Sequence, residues 1–152
     1  MRLPKDRVEG VRLAATLHDI GKIGIPSALL TKPTQLNVHE LGLIRTHSEI
    51  GHAIPGGVQL PWPIAEVLVQ HHERLDGSGY PRGLRADAII LEARIVAVAD
   101  VFDSMASHRL YHAAKGLDAA LKELHDGRGR LYDADAVNAC REVLNHDSLG
   151  YN

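Results

Sequence analysis

The chain is poor in aromatic residues, has a single cysteine and carries almost no net charge, and each shortage removes a class of function. Aromatic side chains make up 4 % of the 152 residues, too few for the stacking platforms that bind single-stranded nucleic acid. Seventeen Lys and Arg against nineteen Asp and Glu leave a formal charge of -2, so no global basic field draws in nucleic acid. An anionic ligand must therefore be captured locally. Cys140 alone cannot form an internal disulfide, and no charged-then-apolar leader or long uncharged span points to secretion or to membrane insertion. A cytoplasmic protein with neither nucleic-acid nor membrane partners is expected. The length suits one domain, residues 1–152, with one continuous core.

What the chain does have is ten histidines and clear helical punctuation. Val8, Val11, Ala15 and His18 recur at three- and four-residue steps, which predicts a helix from residue 7 to about 20. Asn37 with Glu40 three residues on forms a capping-box pattern that opens a helical stretch from 38 to about 53. Pro61 and Pro63 suit a helix start, with Ile64, Val67, Leu68 and His71 giving helical period up to Arg74, where Asp76 to Pro81 stops it. Leu91 to Met105 is apolar on nearly every side and predicts a central buried helix, although periodicity alone leaves a buried strand open over Ile95 to Ala99. Leu117 to Leu124 and Ala134 to Leu144 predict two further helices around a glycine-bearing loop. The fold class is all-α.

Four of these segments bring metal-ligand residue types toward one interior. His18-Asp19 and His71-His72 end apolar helical stretches, while His47 and Asp100 lie inside two others. Asp100 follows Ile95-Val96-Ala97-Val98-Ala99, and burying a carboxylate there is costly unless a cation or hydrogen-bond donors compensate it. A metal would do so; pairing with Arg94 is the plainer alternative. Neutral imidazoles and carboxylates suit zinc, iron, manganese or similar ions, and Asp19 has two oxygens with which to bridge a pair. His39, His52, His125 and His146 are expected to be hydrogen-bonded core histidines rather than ligands.

The segments AATLHDIGKIGIP (14–26), LLTKP with RTHSEIG (29–51), HHERLDGSGYPRGL (71–84) and ARIVAVADVFDSMASHRLY (93–111) together resemble the HD-GYP domains, a branch of the HD superfamily of metal-dependent phosphohydrolases. An HD dipeptide alone is common by chance. HDIGK, a downstream His, HHE, DGSGYP and the AVADVFD Asp in this order are not.

The resemblance implies an HD-superfamily helical bundle with a metal centre in its core, and ligands at His18, Asp19, His47, His71, His72 and Asp100. It implies two divalent transition-metal ions, iron or manganese by preference, with zinc and nickel also compatible. The substrate implied is cyclic di-GMP, hydrolysed to pGpG or GMP by a hydroxide that bridges the metals, with Asp19 and Lys22 as catalytic residues. Lys22 and Arg109 would contact phosphate, while Tyr80 and His112 would contact substrate from the loop and from the Arg109-Leu110-Tyr111-His112 segment. In some members a third ion is held by a helix upstream of the HD motif, which here would precede Met1, so two ions and an exposed apolar groove or a homodimer are expected. A diguanylate cyclase (GGDEF) domain or an upstream sensor or receiver domain is the partner implied. Two alternatives stand beside this: a catalytically weak regulatory module in cyclic-dinucleotide signalling, or an HD phosphohydrolase acting on another nucleotide.

Overall fold

The computed structural model describes residues 1–55, 58–106 and 116–149, with side chains through residue 145. Its helices are α1 (Lys5–Leu17), α2 (Ser27–Leu30), α3 (Val38–Arg45), α4 (His47–Ala53), α5 (Ile64–Gln70), α6 (Leu91–Ala106), α7 (Leu117–Gly127) and α8 (Ala134–Leu149), with 3₁₀ turns at Ile20–Gly24 and Ala86–Ala88. Among the described residues there is no strand, only the isolated bridges Asp76–Arg85 and Arg128–Tyr132. The all-helical expectation holds, and the stretch from Leu91 is helix.

The all-round apolarity of α6 has a packing cause. One face joins Ala14 of α1 and Ile64, Val67 and Leu68 of α5 through Ala93 and Val96. The other joins Leu124 of α7 and Ala136 and Val137 of α8 through Val98 and Val101. A helix packed between two clusters keeps only a narrow strip for solvated residues, here Ala99, Asp103 and Ser104, and each fully buried Leu or Val in those clusters contributes about 1.5–3 kcal/mol. An Arg7–Glu92 ion pair at 2.6 Å ties α1 to the first turn of α6, where a carboxylate is favoured. Asp133 starts α8 by accepting the Asp135 and Ala136 amides, both at 3.0 Å. An apolar groove of about 340 Å³ runs between α6 and α8, bordered by Met1, Ile95, Phe102, Cys140 and Val143.

The capping box forms as read: Asn37 accepts from the Glu40 amide at 3.0 Å, and the Glu40 carboxylate accepts the Asn37 amide at 2.9 Å. Its helix does not run through to residue 53, however, but breaks at Thr46 into α3 and α4. There the Thr46 hydroxyl donates to the Leu43 carbonyl and the His47 ring to that of Ile44, so side chains compete for the acceptors a continuous helix would use. The first helix likewise ends at Leu17, before the His-Asp pair, and α5 ends at Gln70. His39 and His125 are exposed, a correction to the core placement expected of them, because each falls on the outward side of its helix. His52 lies at the surface margin beside Glu66, Nε2 to Oε1 3.3 Å, and the His146 side chain lies outside the described residues.

Candidate metal centre

Asp19 is brought to His47 by direct contact of main chains. The 3₁₀ turn after Asp19 lies so close to α4 that a Cβ on Gly21 would sit 1.9 Å from the His47 carbonyl oxygen. Only glycine permits that approach. α5 then packs against α4, and α6 against α1 and α5, which brings His71, His72 and Asp100 to the same place.

Three imidazoles are held in one way. Nδ1 of His18, His47 and His71 meets the main-chain carbonyl three residues earlier, Ala15, Ile44 and Leu68, at 2.6, 2.8 and 2.8 Å. A carbonyl only accepts, so each Nδ1 carries the proton and each Nε2 presents a lone pair. Nε2 of His47 and Nε2 of His71 are buried with no hydrogen-bond partner. Such groups are expensive to leave unsatisfied, and a cation or a hydrogen-bond donor would compensate them.

The carboxylates complete the array. His18 Nε2 stands 3.5 Å from Asp19 Oδ2 and 3.6 Å from Asp100 Oδ1, His47 Nε2 is 3.5 Å from Asp19 Oδ1, and His72 Nδ1 is 3.8 Å from Asp100 Oδ2. These separations exceed good hydrogen bonds. They approach the roughly 3–3.5 Å between neighbouring ligand atoms set about 2.1 Å from one ion. One ring nitrogen each from His47, His71 and His72 lies within 4.8 Å of the others. The donor set fits a divalent transition metal.

The local field agrees. Burial lowers the His47 ring and drives His71 to about 4, and burial followed by the neighbouring His71 pushes His72 down further still. All three are thus neutral, the form that binds metal. His18 is raised, chiefly by Asp100. Burial alone would raise Asp100, but His18 and the other rings outweigh it and hold its carboxyl below the usual range. Arg94 does not pair with Asp100, since it is engaged by Asp133 at 3.5 Å and Asp87 at 3.3 Å.

Lys22 donates to Asp19 Oδ2 at 2.5 Å, so its ammonium stands at the mouth of the array. A cleft of about 280 Å³ opens there, lined by His18, Asp19, Val96, Asp100 and Asp103. Tyr80 comes from the glycine-rich loop and stacks on His72, ring centroids 4.6 Å apart and planes 26° from parallel. Arg109 and His112 lie outside the described residues. Asp76 accepts the Ser78 amide at 2.9 Å and serves its own turn.

Two residues lay inside the motifs without a role read for them. Glu73 is 2 % exposed, and its carboxylate accepts the Arg82 amide at 2.7 Å and the Leu84 amide at 2.9 Å, clasping the loop that carries Tyr80. Gly79 rests directly on that segment, where a Cβ would fall 2.4 Å from the Glu73 Cα. Arg45 places its guanidinium carbon 4.8 Å from the Tyr80 ring centroid. An acid following two histidines was the available hint for Glu73; Arg45 had none beyond its place two residues before His47.

A family model for the HD domain matches residues 1–136. The chain is 48 % identical over 139 residues to the cyclic di-GMP phosphodiesterase response regulator RpfG of Xanthomonas campestris pv. campestris, covering 90 % of this chain and 37 % of that protein. It is 45 % identical over 134 residues to a cyclic di-GMP phosphodiesterase of Thermotoga maritima, covering 87 % and 36 %. Against the 3'3'-cGAMP-specific phosphodiesterase 3 of Vibrio cholerae the identity is 37 % over 135 residues, covering 89 % and 29 %. The chain thus spans well under half the length of each of these relatives. Among solved structures, Bd1817, an HD-GYP-type protein of Bdellovibrio bacteriovorus, superposes with a TM-score of 0.72 at 20 % identity over 92 % of this chain and 44 % of that one, a likeness of fold.

Proposed function

The chain belongs to the HD domain family, in its HD-GYP branch, and from that premise we propose that residues 1–152 form a metal-dependent phosphodiesterase domain that opens cyclic di-GMP. The observation that carries this is the pair of buried, unpartnered Nε2 atoms on His47 and His71, facing carboxylates supplied from other segments. His18, Asp19, His47, His71, His72 and Asp100 would hold two divalent ions, for which iron and manganese are the preferred candidates. Bound there, such ions supply Lewis acidity at phosphoryl oxygens and acidify a water nucleophile.

The chain's own groups then have defined tasks. The main-chain carbonyls behind His18, His47 and His71 hold the rings rigidly in one tautomer, which spares reorganisation during reaction. Lys22 spends one N–H on Asp19 and has two left for a phosphate oxygen. By resemblance Arg109 and His112 would also contact the substrate, and Tyr80 walls the site on the His72 flank. In the reaction a water oxygen joins phosphorus, the bond from phosphorus to the 3' oxygen breaks, and that oxygen leaves with a proton. The product is linear pGpG, and a second round gives GMP. The Vibrio cholerae relative named for 3'3'-cGAMP favours a second reading, in which one guanine is replaced by adenine.

Metal analysis of the purified protein and its Asp19→Ala variant, with chromatography after incubation with cyclic di-GMP or 3'3'-cGAMP, tests the proposal. Wild type is expected to hold metal and to yield pGpG or GMP, and Asp19→Ala to lose both. Equal metal in the two proteins sinks the metal assignment. Intact dinucleotides over a fully metallated wild type would instead make this a binding module.

A further inference from the structure

Arg45 is the exposed last residue of α3, and its guanidinium caps a column of three layers. Beneath it lies the Tyr80 ring, and beneath that the His72 imidazole, which belongs to the cluster formed with His47 and His71. The guanidinium therefore stands two stacking steps from the metal-ligand array. Arg7 and Arg94 spend their guanidinium groups on Glu92 and Asp133. Among the described residues Arg45 has no carboxylate partner and donates no hydrogen bond. A guanidinium held over a ring by its charge keeps the N–H groups that point away from the ring free.

The column does not depend on Arg45 for its rigidity. Glu73 clasps the loop through two amides, Gly79 rests on the main chain of Glu73 and Arg74, and the Tyr80 amide donates to the His72 carbonyl at 3.3 Å. A cation with unused donors is thus held on a fixed platform beside the site.

A cyclic dinucleotide carries two phosphodiesters, of which one reacts at a time. The reacting one is met by the histidine and aspartate array with Lys22. The other lies across the macrocycle and, on a chain of net charge -2, has to be met by local cations, to which the described residues add Arg45 beside the Arg109 that the resemblance supplies. We propose that Arg45 binds the non-reacting phosphate of a cyclic dinucleotide through its planar, bidentate N–H edge, with Tyr80 as the platform that orients it. This rests on the phosphodiesterase reading above.

The experiment compares kcat/KM for cyclic di-GMP with that for bis(p-nitrophenyl) phosphate, a diester with a single phosphate, in wild type, Arg45→Gln and Arg45→Lys, with metal content measured in each. Removing a charge-assisted contact made only by the dinucleotide is expected to lower the ratio of the two about tenfold or more in Arg45→Gln. The loss should lie in KM. Arg45→Lys, which keeps the charge but not the fork, falls between. An unchanged ratio, whether both substrates are spared or both suffer equally, overturns the assignment while leaving the phosphodiesterase reading intact. A metallated wild type that cleaves the aryl diester but leaves cyclic di-GMP untouched overturns both.

Discussion

Acidifying the metal-free protein should destabilise it through His71. The ring is fully buried, its Nδ1 is committed to the Leu68 carbonyl, and a second proton on Nε2 would find no acceptor. Burial first, and the neighbouring His18 second, bring its pKa down from 6.5 to about 4. The folded protein therefore refuses a proton that the unfolded chain accepts over this interval, so stability rises with pH across it and is lost as pH falls from 6.5 to about 4. At 1.36 kcal/mol per pH unit, the interval amounts to about 3 kcal/mol, a large share of an ordinary domain's 5–15 kcal/mol. His47 and His72 act in the same sense, since burial lowers both. His18 opposes them: its raised pKa makes a contribution that is full at low pH and fades as pH rises past the folded value. Urea unfolding with chelator at several pH values, for wild type and His71→Gln, isolates the effect. The wild-type curve should fall more steeply on acidification by up to about 1.4 kcal/mol per pH unit. Parallel curves for the two proteins would refute the reasoning.

Two substitutions away from the ligands follow from the packing. Gly21→Ala drives a methyl into the His47 carbonyl oxygen, main chain that cannot swing aside, and should cost about 3 kcal/mol or more by urea unfolding while lowering metal content. An alanine variant with wild-type midpoint and full metal would show that the turn yields easily. Glu73→Gln keeps the shape but sets an NH₂ against one of two amides, at a cost of about 1–3 kcal/mol. Its unfolding midpoint should drop accordingly, and an unchanged midpoint would mean that the loop is held by other contacts.

The helices were legible where pattern and punctuation acted locally, as at Asn37 and Glu40 and in the all-round apolar α6. Their ends were less so. The break at Thr46 and the early stop at Leu17 arise where side chains turn back onto the main chain or where another segment closes in, and periodicity registers neither. The ligand types could be picked out because histidines and a carboxylate set in apolar runs need compensation, and the fold gathers His18, Asp19, His47, His71, His72 and Asp100 at one place. The plainer fate for Asp100 fails for a long-range reason: Arg94 is claimed by Asp133, thirty-nine residues away. Glu73 and Arg45 went without roles because each acts on a loop whose path is set by tertiary contacts.

The carbonyls behind His18, His47 and His71 belong to peptide units and not to replaceable side chains. Exchanging Ala15 or Ile44 for another helix-forming residue leaves the oxygen where the helix puts it, whereas Leu68 is fixed in addition by the core it fills. The aim of the rings is therefore buffered against side-chain change at those two positions.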